Sequence, residues 1–371
     1  MTQNLWNWQR KEWPNFSYDE NALKELEYDF SKNTGMIIGA FKHINNDEKN
    51  HLIVDIMSGE ALKTSEIEGA YLNRNSIQTS IRKNLGLETD KRKVSPEEYG
   101  IAEMMVELFK NYNQPLSEQV LFDWHKMLTN GRRDLDDIGR YRTHEDDMQI
   151  VSGRLDKPKI YFQAPPSHTM QQEMSTFLNW FNKSQAQIFP LARAGIAHFY
   201  FINIHPFEDG NGRIGRAIAE KSIAQSIGRP ALLSLSQVIQ RNKKAYYAAL
   251  GNHNKTCEIT DWLLFFAQTI LEAQEHTLKQ VDFFIEKAKF FDCFSKNINE
   301  RQKKVIKRLF DAGYQGFEGG LSADNYINIT RTSASTATRD LQQMVEKKIL
   351  IRRGERKGTR YYLNIKYNKD V

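Results

Sequence analysis

The sequence predicts a mainly α-helical fold with two small β-hairpins, divided into more than one domain. Apolar residues recur at helical spacing through most of the chain, and β-like runs cluster only at 149–162 and 349–363. At 371 residues the chain is long for a single core. Charge is also uneven: Ile298 to Val371 holds 16 Lys and Arg against 8 Asp and Glu, a net of +8, while the other 297 residues carry a net of −2. The expected division is an amino-terminal region at 1–95, a core at 96–297 and a basic module at 298–371. A basic module on a near-neutral body is the asymmetry of a nucleic-acid-binding appendage.

Hydrophobic content of 40% with 26% charged residues is ordinary for a globular protein. No run approaches the roughly 20 apolar residues a membrane span needs, so no membrane partner is expected. Met1-Thr2-Gln3-Asn4 opens without a basic or apolar leader, which points to a cytoplasmic location. Cys257 and Cys293 are too few and too separate for a disulfide framework or a zinc site. Both are expected to be buried thiols.

The first thirty residues carry Trp6, Trp8, Trp13, Phe16, Tyr18, Tyr28 and Phe30, which are expected to pack on the protein's own body; a peptide-binding surface is the alternative. Pro14 to Ser17 breaks any helix, and Tyr18 to Phe30 reads as a short one. Helical spacing dominates from Lys24 to Leu85. Within it Glu60, Thr64 and Glu68 fall on one stripe, closed by Gly69; alone this is a solvated acidic face. Helices follow at 96–113 and from Pro115 through Leu128, with Trp124 expected in the core and His125 at the surface. Gln149 to Gly153 and Lys159 to Phe162 read as a hairpin around a polar turn.

After Pro165-Pro166, residues 168–180 are amphipathic, and Leu191 to Ile204 is a strongly apolar helix that ends on His205. Ile214 to Ile227, 241–250 and 259–288 also read as helices. The tail offers helices at 300–311, 323–327 and 332–347, then a basic hairpin at 349–353 and 359–363. That order resembles a winged helix-turn-helix domain. Such a domain would set its third helix in the major groove of duplex DNA and bring Arg356, Lys357 and Arg360 toward phosphates. Protein contact is the other use of such modules.

Residues 205–216, His-Pro-Phe-Glu-Asp-Gly-Asn-Gly-Arg-Ile-Gly-Arg, concentrate the chemistry. His205 is the side chain whose ordinary pKa lies near neutrality, a natural proton acceptor for a hydroxyl. Asp209 is a hard oxygen donor of the kind Mg²⁺ takes when it also holds phosphates. Gly210, Asn211 and Gly212 can turn successive N–H groups into one anion-binding concavity ahead of a helix N-terminus. Arg213 and Arg216, three apart, share one side of that helix. These residues supply a base, a metal ligand and a phosphate cradle.

The stretch resembles the signature of the Fic family, HxFx(D/E)GNGRxxR, at every specified position. The resemblance implies a Fic-type helical core with a β-hairpin flap, and transfer of AMP from ATP to a Ser, Thr or Tyr hydroxyl of a target protein. It implies His205 as base, Asp209 on Mg²⁺, Gly210, Asn211, Gly212 and Arg213 on the phosphates, and Arg216 on the γ-phosphate. Thr64-x₃-Glu68-Gly69 matches the (S/T)xxxE(G/N) motif by which many Fic proteins restrain themselves, here upstream of the core. In the family the hairpin, with Ile150, Val151 and Ser152, lies over the active site and docks the target as an added strand. A purely structural hairpin stays open. Tyr246 and Tyr247 stand where relatives supply groups near the adenine, and could equally be core. The opening Trp6-Asn7-Trp8-Gln9 and Trp13-Pro14-Asn15-Phe16 more loosely resembles the region ahead of many bacterial Fic domains. Two rival functions remain: transfer of another group or removal of AMP, and a DNA-binding regulator whose core only senses nucleotide. Homo-oligomer formation is left open.

Overall fold

The structure of the protein, a computed structural model, describes residues 5–42, 44–154, 157–313, 316–317 and 319–366; the side chains of 151–159 lie outside that description. Helix accounts for 66% of the chain. The helices are α1 (Glu20–Lys42), α2 (Asn46–Ile67), α3 (Arg74–Asn84), α4 (Pro96–Asn111) and α5 (Glu118–Leu128). A hairpin of β1 (Gln149–Arg154) and β2 (Lys157–Gln163) follows, then α6 (Met170–Lys183), α7 (Pro190–Ile204) and α8 (Asn211–Ile227). After α9 (Leu235–Arg241), α10 (Lys243–His253) and α11 (Thr260–Phe294) come α12 (Glu300–Phe310), α13 (Ala323–Thr330) and α14 (Ala334–Glu346). The hairpin of β3 (Leu350–Arg353) and β4 (Arg360–Leu363) ends the series. Among the described residues no helix is long and apolar enough to cross a membrane.

Two compact units emerge, one of Met1–Met36 with Ile53–Thr277, the other of Ile37–Leu52 with Leu278–Val371. In the first, local chemistry sets the helix starts. Ser95 accepts from Glu98 N–H while Glu98 reaches back to Ser95 N–H, a reciprocal cap. Asn73 caps α3, Ser117 caps α5, and Pro190 opens α7, where its missing N–H has no helical partner to lose. Helix α7 is buried along its whole length from Leu191 to Ile204, which suits a helix apolar on every side. It packs along α8, and the apolar core gathers around this pair. One cluster joins Ile77, Ile101, Leu121, Phe177, Phe201 and Phe207; the other joins Leu23, Phe199, Ile223, Trp262 and Phe266.

The amino-terminal aromatics pack inward except Tyr28, which is exposed. Trp13 meets Tyr200 edge-on at 5.1 Å, and Phe16 meets Phe199 at 5.5 Å. Five further local expectations change. Helix α1 runs to Lys42, well beyond Phe30, and α11 runs to Phe294. His125 is fully buried, stacked on Phe207 at 4.4 Å, with Gly139 N–H donating to its Nδ1. Cys257 is buried as expected, but Cys293 is exposed. Helix α8 begins at Asn211, three residues before the apolar period shows it, because Gly210 alone takes the left-handed turn, at φ +82.

In the second unit, Asn299 with Gln302, and Ser322 with Asn325, form reciprocal caps on α12 and α13; Ser333 caps α14. A three-residue turn, with Arg331 in the left-handed conformation, separates α13 from α14. Val305, Leu309, Tyr326, Leu341, Met344, Leu350 and Leu363 form its core. Buried Asp340 ties three elements, accepting from Arg301 at 2.9 Å and from the Tyr326 hydroxyl at 2.9 Å. Strands β3 and β4 pair antiparallel from Leu350↔Leu363 to Arg353↔Arg360, and Leu321 bridges Tyr361 beside them.

Candidate functional site

The loop between α7 and α8 is stapled from within. Phe207 N–H donates to Asn211 Oδ1 at 3.0 Å, and Asn211 Nδ2 donates to the Phe207 carbonyl at 2.7 Å. The buried Asn211 side chain is therefore spent on closing the loop, which leaves only its backbone N–H for the anion nest expected from the sequence. Gly210 N–H likewise turns onto Asp209 Oδ1 at 2.6 Å. The anion-facing amides are instead those of residues 211–213. They precede the first α8 bond, from Ile214 N–H to the Gly210 carbonyl, and so have no partner within the helix. At Gly212 a Cβ would collide with the Glu68 carboxylate, so glycine permits that close approach.

His205 caps α7 in the left-handed conformation, φ 53 and ψ 59, which turns its side chain out of the helix. Its Nδ1 lies 3.3 Å from the Ile202 carbonyl. A carbonyl can only accept, so we assign the hydrogen to Nδ1, and Nε2 keeps a free lone pair. Burial, helped by nearby Arg142, lowers the imidazole to about 4, so the ring is neutral at physiological pH.

Arg142, unassigned from the sequence, fixes the backbone here. Its buried guanidinium donates to the His205 carbonyl at 2.9 Å, to Ser167 Oγ at 2.7 Å and to the Pro165 carbonyl, and its own N–H donates to the Pro206 carbonyl. Burial lowers it to about 10, still charged at neutral pH. Its acceptors leave no mark in the sequence, because each is a main-chain or hydroxyl oxygen on a distant residue.

Asp209 Oδ2 lies 2.7 Å from Arg132 and 3.4 Å from Arg213. Burial raises the carboxyl, but Arg213, the Gly210 N–H and Arg132 outweigh it and hold it below the ordinary range. Arg213 is nearly buried, and its Nε has no hydrogen-bond partner. A buried guanidinium edge without an acceptor is costly, and an anion seated there would satisfy it.

Arg216 is buried and points at α2. Its Nε donates to Thr64 Oγ1 at 2.7 Å, and its Nη2 donates to the Thr64 carbonyl at 2.9 Å and to Glu68 Oε1 at 2.7 Å. Burial would lower Arg216, but Glu68 outweighs it and the guanidinium ends above its ordinary value. Thr64 and Glu68 are thus brought to Arg216 across about 150 residues. Glu60, on the same stripe, sits deeper and accepts from Ser236. Glu68, Asp209, Arg132 and Arg213 line one open cavity of about 410 Å³.

Of the two alternatives left open for Tyr246, burial favours the core: it is 2% exposed, and its hydroxyl meets His198 Nε2 at 2.7 Å. Tyr247 stacks edge-on against it and remains exposed. In β1, Ile150 is exposed and a bulge separates it from Val151. The side chains of Val151 and Ser152 lie outside the described residues. Strand β2 is held from the amino-terminal side and from the end of α10: Trp8 Nε1 donates to the Gln163 carbonyl at 2.7 Å, and Asn254 Nδ2 donates to the Tyr161 carbonyl at 2.6 Å.

A neutral histidine beside helix-terminal amides, two arginines and a partly exposed carboxylate is the equipment of a phosphate-handling group-transfer protein. Comparisons narrow the class. Residues 115–222 match the Fic/DOC family, and residues 6–87 match a domain of unknown function, DUF4172. These matches support a Fic-family protein. The chain is similar to a protein adenylyltransferase of Caenorhabditis elegans, 28% identical over 38% of this chain and 25% of that one. It is also similar to the protein adenylyltransferase Fic of Aedes aegypti, 35% identical over 28% of this chain and 21% of that one. The matched stretches thus span a quarter or less of these relatives' own length. Among solved structures, a Fic family protein from Desulfovibrio desulfuricans gives a TM-score of 0.54 at 20% identity, over 94% of this chain and 98% of that one. A fragment of Fic-1 from C. elegans gives 0.51 at 20% identity, over 72% and 75%. At this identity the likeness is one of fold.

Proposed function

We propose that the protein transfers AMP from ATP to a Ser, Thr or Tyr hydroxyl of a protein and is restrained by its own Glu68. The observation that supports this reading is a neutral His205, its Nδ1 turned to the Ile202 carbonyl, at the head of the loop that leads into the open amides and Arg213 of the α8 N-terminus. His205 takes the hydroxyl proton as the oxygen attacks the α-phosphorus. The bond to the β-phosphate breaks and pyrophosphate departs, its charge met by the first-turn amides, Arg213 and, once freed from Glu68, Arg216. The residues present fit Mg²⁺. Asp209 is a partly exposed carboxylate on the cavity, and no cluster of three metal-ligating side chains surrounds it among the described residues. That set suits a cation which takes its other ligands from phosphates and water. When bound, Mg²⁺ would neutralise charge on the leaving pyrophosphate. The exposed β1–β2 hairpin would present backbone to a target segment, with Ile150, Val151 and Ser152 at its edge, and Tyr247 would face the base.

Incubation with ATP labelled at the α-phosphate and Mg²⁺ should leave label on the protein itself. Transfer of another group would label only from a different donor, and a mere nucleotide sensor would show binding without label. Asp209→Ala should weaken Mg²⁺-dependent nucleotide binding at least tenfold. Equal affinity in the variant would remove Asp209 from the metal role.

For residues 298–371 we favour a winged helix that contacts duplex DNA, as a domain separate from 1–95 and 96–297. One face of α14 exposes Ser335, Thr338, Arg339, Gln342 and Gln343, and the turn after β3 exposes Arg356 and Lys357. Small polar residues with Arg and Gln are side chains that reach base edges, and basic turns reach phosphates. Binding of the full-length protein to duplex DNA should fall steeply with salt, and Arg356→Ala with Lys357→Ala should flatten the slope by about two. Salt-independent binding, or none at low salt, would move this face to protein contact.

A further inference from the structure

Asp209 is already occupied by an arginine that no motif accounts for. Arg132 lies in the turn after α5 and is held at two points. Its Nε and Nη2 donate to the two oxygens of Asp134, at 2.7 and 2.6 Å, as a bidentate fork. Its remaining nitrogen, Nη1, donates to Asp209 Oδ2 at 2.7 Å. Asp209 Oδ1 takes the Gly210 N–H, so Oδ2 is the oxygen turned toward Arg132 and the cavity. Mg²⁺ binds a carboxylate oxygen at about 2.0–2.1 Å and demands open octahedral space around itself. A guanidinium nitrogen at hydrogen-bond distance on that oxygen occupies part of that space, and its charge opposes the cation.

We propose that Arg132 is a displaceable counter-ion of Asp209, competing with the divalent cation and setting the metal concentration at which nucleotide binds. The inference rests on the Mg²⁺–nucleotide reading of the site. Asp134 makes displacement possible without leaving a bare charge: the guanidinium is rigid, so when the cation takes Asp209 the Arg132–Asp134 pair moves aside as a unit, its fork intact. The pair stays beside the cavity that Arg132 lines with Arg213. Arg132 is thus a positioning residue, holding Asp209 in one rotamer until the cation arrives. It is partly exposed, so its substitution spares the core.

The test uses the full-length protein and a non-hydrolysable ATP analogue, with binding followed by calorimetry across a Mg²⁺ titration and Mn²⁺ binding followed by electron paramagnetic resonance. Arg132→Gln should lower the cation concentration for half-maximal nucleotide binding by about tenfold and tighten Mn²⁺ to a similar degree. Binding of the analogue in chelator should stay within about twofold. Asp134→Asn loosens the fork while keeping the charge on Arg132, and should shift the midpoint the other way. An unchanged midpoint in Arg132→Gln, with the parent binding Mg²⁺–nucleotide normally, overturns the counter-ion role alone. A raised midpoint overturns it too and makes Arg132 a phosphate ligand from the outset. If the parent itself shows no metal-dependent nucleotide binding, the proposed function falls and this inference with it. Melting temperatures of the variants within a few degrees of the parent keep misfolding out of the comparison.

Discussion

His205→Ala is expected to lower transfer by about 10²–10⁴-fold, the usual contribution of a positioned general base, while nucleotide affinity changes by less than about tenfold. The separation follows from geometry. The imidazole is bonded through Nδ1 to the Ile202 carbonyl, whereas the loop is held by Asn211 and by Arg142 on the 205 and 206 carbonyls, which alanine keeps. Position 205 has positive φ, where alanine costs roughly 1 kcal/mol or more, so His205→Asn is the companion variant, asparagine tolerating that conformation better. The pH profile gives a second reading. The imidazole sits at about 4, below its ordinary value, so it is the unprotonated base throughout the neutral range and loses that form only as pH falls toward 4. Transfer should therefore stay flat from about pH 8 to 5.5, where an ordinary histidine would lose about tenfold. Loss of binding in step with transfer, in both variants, would show that His205 is structural.

What the sequence made legible was local chemistry. The residues from His205 to Arg216 are contiguous, so their types and spacing could be read as base, carboxylate and cradle before any tertiary contact was known. The apolar run of α7 likewise exposed its buried course. What stayed hidden depends on partners far along the chain. Arg142 acts through carbonyls at 165 and 205, and Arg132 through Asp209, 77 residues away. A lone arginine in a polar loop carries no sign of either. Tyr246 reads equally as ligand-facing or core until His198 is found beneath its hydroxyl. The start of α8 was hidden by its own composition, since Asn211-Gly212-Arg213 has no apolar period and opens on two residues of low helix propensity. The Phe207–Asn211 staple and the Gly210 turn, tertiary features of the loop, impose the helix there.

Glu68→Gly should raise auto-modification by about tenfold to a hundredfold. Glu68 ends α2 against the α8 N-terminus, with its carboxylate on Arg216 at 2.7 Å and over Gly212. It thus holds a negative charge where the outer phosphates of ATP would seek both the helix dipole and the guanidinium. Under the proposed restraint, an engaged Arg216 would leave ATP to bind with its α-phosphate out of line with the attacking hydroxyl. The pair is half sheltered, Arg216 being 2% exposed and Glu68 29%, so it is stronger than a surface ion pair and weaker than a sealed one. About 1–3 kcal/mol is a reasonable value, and 1.4 kcal/mol is tenfold in rate. Removing Glu68 does not release Arg216 to wander, because Thr64 still accepts from its Nε and Nη2. The arginine therefore stays oriented and gains a vacant Nη edge for phosphate. Glu66 is two residues away but is not idle: it bonds Lys63 at 2.6 Å and Gln240 at 3.0 Å, so its deletion would loosen α2. Glu66→Gln, which removes the charge but keeps the side chain's length and one accepting oxygen, is the sounder control. If Glu66→Gln activates as much as Glu68→Gly, the effect belongs to the helix rather than to the ion pair. If Glu68→Gly leaves auto-modification unchanged while labelled ATP still reacts, the restraint lies elsewhere in the chain.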